Sequence, residues 1–261
     1  MYETRYVRAT SPQEAVSALQ SSDDGKFLAG GMTLLPTMKQ RLAAPDCVID
    51  LSKCGLSGIE DTGDAMRIGA MTTHAEVARS QNIPAVAMLA EHIGDRQVRN
   101  KGTIGGSVAN NDPSACYPAA VLALGGTIHT TSRDIAADEF FTGMFETDLD
   151  EDELITAITL PKPDRAAYAK APSPASRYAM AGVFVATFGN EVRVAVTGAG
   201  EDGVYRCDAC EAALGKNFDA SALEAVTISA DGLMGDIHAS AEFRARLVLA
   251  MAKQAVNSCQ A

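Results

Sequence analysis

The interpretation of the whole sequence starts from one glycine-rich segment: Gly102-Thr103-Ile104-Gly105-Gly106-Ser107-Val108-Ala109-Asn110-Asn111-Asp112-Pro113. Its paired glycines let a backbone approach a ligand closely, because no Cβ stands in the way. Its short hydroxyl and amide side chains can hydrogen-bond to the same ligand. Such a loop can bind a phosphate group through backbone N–H groups rather than through lysines. By itself, the segment is explained equally well as a tight turn between a strand and a helix.

A second segment, Ala29-Gly30-Gly31-Met32-Thr33-Leu34-Leu35-Pro36, also places paired glycines after a short apolar run. We predict a strand over residues 26–29 that delivers the glycines, followed by a helix with Thr33 as its N-cap. Apolar residues at helical spacing extend this helix to Leu42. Its N-terminus would open beside the glycines, where free N–H groups favour an anion.

Two glycine-rich strand-to-helix turns in one chain indicate a ligand with two phosphates, or a long ligand held at two points. Neither turn has the G-x-G-x-x-G spacing of the common dinucleotide fingerprint, and neither carries the G-K-[ST] of a P-loop. The residues alone therefore predict a phosphate-bearing cofactor that is not held in a standard Rossmann turn.

Both segments resemble the FAD-binding segments of the medium, flavin-carrying subunit of molybdenum hydroxylases. This group includes aerobic carbon monoxide dehydrogenase and the xanthine dehydrogenase family. Ile68-Gly-Ala-Met-Thr-Thr-His-Ala-Glu76 and Leu154-Ile-Thr-Ala-Ile-Thr-Leu-Pro161 are similar to further segments of that subunit, in the expected order. The resemblance covers nearly the whole chain.

The resemblance implies an α+β fold with a PCMH-type FAD-binding domain of two α/β lobes and a small C-terminal α+β domain. We expect the first lobe over residues 1–55 and the second over residues 56–165. The C-terminal domain, of the carbon monoxide dehydrogenase flavoprotein type, is expected over residues 170–261. Breaks at Pro161–Pro163 and Lys170–Pro174 predict the linker, and Gly189-Asn190 predicts the turn of a β-hairpin beyond it.

The resemblance also implies which residues bind FAD. In the first segment Ala29, Gly30, Gly31, Met32, Thr33 and Leu34 match residues that hold the pyrophosphate. In the second, Thr103, Ile104, Gly105, Gly106 and Ser107 match those that hold the second phosphate and a ribose, with Asn110 and Asn111 on the same loop. Thr72 or Thr73 would face the adenine side, and Ile155 and Lys170 would lie near the flavin ring.

Two positions depart from the family pattern. Cys116 stands where relatives usually carry an aspartate that bonds the adenine ribose, and a thiol is a weak hydrogen-bond acceptor. Arg177 occupies a position that is often acidic. Either change could alter flavin access or the choice of electron acceptor.

Composition limits the possible partners. The 261 residues carry a net charge of −11, with 47% hydrophobic residues and a pI near 4.8. This balance argues against nucleic acid, which needs a basic surface. No apolar run is long enough for a membrane span, and the N-terminus lacks the apolar region of a secretory signal. We therefore expect a cytoplasmic protein.

The sequence predicts no metal site and no catalytic side chain. Of six cysteines, only Cys207 and Cys210 have C-x-x-C spacing, and no second pair completes a four-ligand site. Thr73 and Glu76 are predicted to form a capping box at the start of a short helix, and His74 inside it is interpreted as a packing or capping residue. The acidic run 148–153 is interpreted as a solvated loop.

The implied function is electron transfer within a complex. A large molybdopterin subunit would oxidise the substrate, and a small [2Fe–2S] subunit would relay electrons to the FAD of this chain. The resemblance implies that the three kinds of subunit form a dimer of heterotrimers. The FAD would pass them to an acceptor such as quinone or NAD. Two alternatives stay open: a stand-alone flavin oxidoreductase, and a scaffold subunit that has lost the flavin.

Overall fold

The computed structural model describes residues 1–260, and its N-terminal unit is a small parallel sheet. The central strand pairs with both neighbours, with Ile49 opposite Val7 on one side and Phe27 on the other. Each strand-to-strand crossover contains a helix, as parallel strands require. The elements are β1 (Arg5–Arg8), α1 (Pro12–Gln20), β2 (Gly25–Leu28), α2 (Leu34–Lys39) and β3 (Cys47–Asp50), with sheet order β1-β3-β2.

The second unit is a five-stranded antiparallel sheet with helices on it. Its sheet order is β4-β5-β10-β6-β7, so the last strand in sequence lies at the centre. The elements are β4 (Ile59–Asp61), β5 (Ala65–Gly69), α3 (His74–Val77), α4 (Pro84–Glu91), α5 (Arg96–Arg99), α6 (Ile104–Asn110), α7 (Tyr117–Ala123), β6 (Thr127–Thr130), β7 (Asp134–Ala136), α8 (Ala137–Phe140), β8 (Phe141–Gly143), β9 (Glu146–Thr147) and β10 (Ile155–Pro161).

The third unit is a four-stranded antiparallel sheet in sequential order, covered by a long C-terminal helix. Its predicted hairpin is confirmed: Gly189, at φ +58°, turns the chain between the two longest strands. The elements are β11 (Arg165–Pro172), β12 (Ala179–Phe188), β13 (Glu191–Gly200), β14 (Gly203–Arg206), α9 (Asp208–Leu214), a 3₁₀ turn (Ala220–Leu223) and α10 (Ala241–Gln260).

Two local predictions were wrong. The second predicted break falls inside β11, where Lys170 pairs with Gly182. Pro172 is tolerated because β11 is an edge strand and its missing N–H leaves no partner unsatisfied. The predicted domain start at residue 170 therefore cuts a strand. Helix α2 ends at Lys39 and does not reach Leu42, since Arg41 takes a left-handed backbone (φ 62°) that a helix cannot continue through.

The four-stranded sheet of the third unit contributes side chains to two hydrophobic cores, because successive side chains of a strand point to opposite faces. Phe184 packs into the core of the second unit around α7, while Val183 and Val185 pack against α10. The same sheet also holds the end of the glycine segment. Gly198 N–H donates to Pro113 O at 2.7 Å, and Thr197 Oγ1 lies 2.8 Å from that oxygen. The C-terminal unit thereby fixes the loop between α6 and α7.

Arg244 of α10 ties the C-terminal helix to its sheet. Its guanidinium donates to Met180 O and Gly198 O at 2.6 Å each, and to Asp236 at 2.7 Å, and the residue is 3% exposed. Removing it leaves buried carbonyl groups without a donor, which costs about 1–3 kcal/mol for each group.

We therefore expect Arg244→Met to lower the free energy of unfolding by about 3 kcal/mol, measured by urea denaturation. The matched control is Arg246→Met, on the exposed side of the same helix, which should stay within about 0.5 kcal/mol of wild type. Equal losses in the two variants would contradict the anchoring role of Arg244.

Candidate cofactor site

The two glycine segments, far apart in sequence, touch each other directly. A Cβ atom added to Gly30 would lie 2.0 Å from Lys101 O and 2.8 Å from Gly102 Cα. A Cβ added to Gly105 would lie 2.5 Å from the Cβ of Ala70. These glycines are therefore required by close backbone approach and not only by turn geometry. The contact brings both segments to one edge of the same cavity.

The first segment leaves a row of backbone donors free. Within residues 1–260, the N–H groups of residues 30–34 donate to no protein acceptor. Gly31 has φ +71°, so a left-handed residue lies within the row, as in the concave nests that bind anions. Thr33 holds the predicted N-cap position, but its side chain makes no capping bond, since its backbone (φ −105°, ψ −54°) is not extended. These groups are the natural site for a diphosphate.

The second segment is not the strand-to-helix turn that the sequence predicted, because the short helix α5 precedes it and Gly105 and Gly106 lie inside α6. Its first N–H groups are already bonded within the protein: Ile104 N–H donates to Thr72 O at 3.1 Å and Gly105 N–H to Ala70 O at 2.9 Å. Gly106 N–H donates to Thr103 Oγ1 at 3.2 Å. This segment therefore offers a glycine surface and the polar side chains of Ser107 and Asn110 rather than free N–H groups.

A cavity of about 800 Å³ lies between the two segments. This volume is in the range of small-molecule and cofactor sites. The structure brings most of the predicted site residues to its wall: Ala29, Gly30, Gly31, Met32, Thr33, Leu34, Thr103, Gly105, Gly106, Ser107, Asn110, Cys116, Ile155 and Lys170.

Three predicted site residues do not line the cavity. Ile104 is fully buried in the core of the second unit. Thr72 is also fully buried, and its hydroxyl bonds Gly58 through both the carbonyl oxygen and the N–H. Asn111 ends α6 in the left-handed region (φ 39°), and its amide donates to the carbonyl groups of Gly143 and Glu146 at 2.8 Å each. Asn is the common alternative to glycine at such a helix end, so this structural role had a sequence signal.

Three cationic side chains meet the carbonyl end of α4, and two of them, Lys170 and Arg177, line the cavity. Both were singled out in the sequence, but their shared contact with this helix end had no sequence signal. Lys170 Nζ donates to His92 O at 2.7 Å and to Arg177 O at 3.1 Å, and lies 3.5 Å from Cys116 Sγ. Arg99 and Arg177 both donate to Gly94 O, at 3.1 and 3.3 Å. Cations at a helix C-terminus offset its partial negative charge. Within residues 1–260, none of the three cations forms a salt bridge.

His74 also lines the cavity and was not predicted to do so. Its ring is 5% exposed and lies 5.3 Å from the Tyr117 ring, between centroids. Burial, with a smaller contribution from the charge of Arg99, lowers the pKa of His74 to about 4. The imidazole is therefore neutral at physiological pH, which agrees with the interpretation of a packing residue. The predicted capping box around it, Thr73 with Glu76, is present.

Another stretch of the cavity wall is acidic and includes Asp150, Glu151 and Glu153. Glu153 corrects the prediction of a wholly solvated loop, because its side chain is fully buried. Burial acts to raise its pKa, but bonds from Arg133 (3.2 Å), from the Thr130 hydroxyl (2.6 Å) and from a backbone N–H outweigh it and lower the pKa. Glu153 is thus an ionised structural anchor for this wall.

Comparison with known proteins agrees with this geometry. Residues 2–163 match the family described as "FAD binding domain in molybdopterin dehydrogenase". The chain belongs to this family. It is an FAD-binding subunit of the molybdenum hydroxylase type, and its α+β fold is that of the carbon monoxide dehydrogenase medium subunit.

Relatives of this FAD-binding subunit match along almost their whole length. The nicotine 6-hydroxylase medium subunit of Paenarthrobacter nicotinovorans is 35% identical, over 97% of this chain and 95% of the relative. The carbon monoxide dehydrogenase medium chain of Hydrogenophaga pseudoflava is 33% identical, over 98% and 96%. Reconstituted carbon monoxide dehydrogenase from Oligotropha carboxidovorans superposes with a TM-score of 0.88 at 31% identity, covering 100% of this chain and 99% of that chain.

Within the residues that the structure describes, no group of three or more His, Cys, Asp or Glu side chains could hold a metal ion. Nor is any helix in that part of the FAD-binding subunit both long and apolar enough to cross a membrane.

The buried neutral His74 predicts a pH dependence of stability. Its folded pKa of about 4 lies below the ordinary value of 6.5, so below pH 6.5 the unfolded chain takes up a proton that the folded chain does not. Its contribution to stability is present above pH 6.5 and is lost as the pH falls towards 4. The loss amounts to about 3 kcal/mol.

The measurement is urea denaturation of wild type and His74→Gln between pH 7.5 and 4. We expect the difference in free energy of unfolding between wild type and His74→Gln to shrink as the pH falls. The free energy of unfolding of His238→Gln, changed at an exposed position, should follow that of wild type at every pH. A wild-type advantage that does not vary with pH would contradict a neutral, buried His74.

Proposed function

We propose that this subunit holds one FAD along the cavity, with its diphosphate on the free N–H groups of residues 30–34, and carries electrons through it. The observation that carries the proposal is the direct contact of Gly30 with Lys101 and Gly102 beside those unpartnered donors. A diphosphate supplies the acceptors that this row of donors lacks. The family of the chain supports the choice of FAD.

The remaining wall fits the rest of the molecule. Ser107 and Asn110 offer hydroxyl and amide groups to ribose and phosphate oxygens. Leu149, Leu154 and Ile155 form an apolar patch on the cavity wall for the flavin ring. Bound FAD would supply the capacity to take up electrons one at a time and release them singly or in pairs. The protein positions the ring and sets its electrostatic surroundings through the charged residues of the cavity wall, among them Lys170, Arg177 and Asp150.

We further propose the complex in which this chain works. A small [2Fe–2S] subunit delivers electrons that a large molybdopterin subunit removes from the substrate. These two subunits and this chain form a heterotrimer in the cytoplasm, and two heterotrimers form a dimer. The acceptor is a quinone or NAD. The support is that relatives of nearly equal length are named medium chains or medium subunits. In this role no side chain of the chain acts as a general acid or base.

Purification of the chain alone tests this function against its rivals. Bound yellow flavin with no turnover of small organic substrates supports an electron-transfer subunit. Turnover by the lone chain would instead indicate a self-contained oxidoreductase, and a colourless protein that ignores added FAD would indicate a scaffold.

Gly30→Ala should weaken FAD binding. The new methyl group cannot fit 2.0 Å from Lys101 O, so the two segments must separate. Overpacking of this kind costs about 1–3 kcal/mol, which corresponds to a rise of about fivefold to 150-fold in the Kd for FAD. Fluorescence titration of the apoprotein with FAD measures it. The control is Gly235→Ala, whose added Cβ would meet no atom closer than 3.9 Å. An unchanged Kd in Gly30→Ala would remove the main support for the site.

Cys116→Asp should tighten FAD binding. It restores the carboxylate that similar subunits use to bond the ribose, at a point 3.5 Å from the Lys170 ammonium. A hydrogen bond to a charged group contributes about 1.5 kcal/mol, so the Kd should fall about tenfold. Cys116→Ser separates the effect of the carboxylate from loss of the thiol and should change the Kd by less than about threefold. Weaker binding by the Asp variant would show that the ribose lies elsewhere.

A further inference from the structure

Cys116 and Lys170 form an amine–thiol pair on the wall of the cavity. Cys116 Sγ lies 3.5 Å from Lys170 Nζ. Among the described residues no other lysine amine is hydrogen-bonded to a cysteine. Both side chains line the cavity, so a small molecule that enters it reaches them.

The two residues come from different units of the fold. Cys116 stands immediately before α7 in the second unit, and Lys170 belongs to β11 of the C-terminal sheet. A covalent bond between them would join the two units across the cavity wall. The bond needs little movement of either side chain, because the reacting atoms are already in contact.

We propose that Cys116 and Lys170 are an oxidative modification site, at which hydrogen peroxide produces a covalent sulfur–nitrogen link. In the first step the thiol sulfur attacks the peroxide, the O–O bond breaks, and Cys–SH + H₂O₂ gives Cys–SOH + H₂O. In the second, the lysine amine attacks the sulfenic sulfur and the S–O bond breaks. Cys–SOH + Lys–NH₃⁺ gives Cys–S–NH–Lys + H₂O + H⁺. The sulfur is oxidised by two electrons and the peroxide is reduced.

The surroundings favour capture by this amine over other groups. Sulfenic acids condense readily with a thiol or an amide nitrogen nearby, but no other cysteine is hydrogen-bonded to Cys116 within the described part of the chain. The neighbouring Tyr168 hydroxyl is buried, and burial, with a smaller contribution from the Cys116 charge, raises its pKa well above the ordinary value. It therefore stays a neutral phenol, which is a poor nucleophile.

The link has a structural consequence. As an ammonium, Lys170 donates to His92 O and Arg177 O as well as facing Cys116. The linked nitrogen carries one hydrogen and no charge, so at most one of the two carbonyl bonds survives. Oxidation would therefore remove a positive charge from the cavity edge and release either the end of α4 or the loop that carries Arg177.

Peptide mass spectrometry of the peroxide-treated full chain tests the proposal. Trypsin places Cys116 in the peptide of residues 102–133, and a linked Lys170 is no longer cleaved, which leaves residues 166–177 intact. We expect these two peptides joined, at the sum of their masses less two hydrogen atoms, and separated again by dithiothreitol. Lys170→Arg keeps the positive charge but should lose the joined species and accumulate sulfinic acid at Cys116.

Wild-type chain that carries only sulfinic or sulfonic acid on Cys116, or no oxidation at that residue, would overturn the proposal. So would a joined species that persists in Lys170→Arg. The wild-type measurement tests the proposal even if the variant fails to fold. Cys54 is an internal control that should form no link, because its Sγ faces the carbonyl oxygen of Ala9 at 3.6 Å. Because the readout does not involve bound FAD, its failure is distinct from failure of the proposed function.

Discussion

The architecture depends on the backbone contact between Gly30 and the Lys101–Gly102 peptide. It is a steric constraint, since any side chain at residue 30 would overlap the carbonyl oxygen of Lys101. This contact holds the parallel sheet of the first unit against the helical layer of the second. The cavity between the two units therefore has a fixed width at that edge. A binding site built from two units needs such a contact, because lobes joined only by flexible chain would not hold a pre-formed cavity.

The two glycine segments share this contact but have different structural roles. The N–H groups at the start of α6, in the second segment, donate to the carbonyl oxygens of Ala70 and Thr72, which follow β5. These bonds fix α6 to the end of that strand. In the first segment, the N–H groups of residues 30–34 have no acceptor among residues 1–260. Unpartnered donors beside a cavity are stabilised when an anionic ligand supplies the acceptors. One segment is therefore the rigid support and the other the anion site.

The C-terminal unit completes the cavity rather than standing apart from it. Gly198 and Thr197 fix the loop that follows the second glycine segment, and Lys170 reaches the end of α4, the Arg177 loop and Cys116. The cavity wall thus carries both positive and negative side chains, although the chain as a whole is acidic. These charges act on a bound cofactor more strongly than the net charge does, because nearby charges are least screened.

The sequence by itself determined the local features: the paired glycines, the strand that delivers the first pair, the capping box at Thr73 and Glu76, the turn at Gly189, and, through resemblance, the family and the two glycine segments of the cavity wall. Each depends on residues close together in the chain, where backbone freedom and side-chain capping act. Only the tertiary structure decided which N–H groups stay free, that Asn111 and Thr72 bond to the protein instead of facing the cavity, and that Lys170 lies in a strand beside Cys116. Those outcomes depend on acceptors and neighbours from distant parts of the chain, and local sequence carries no information on which of them will meet.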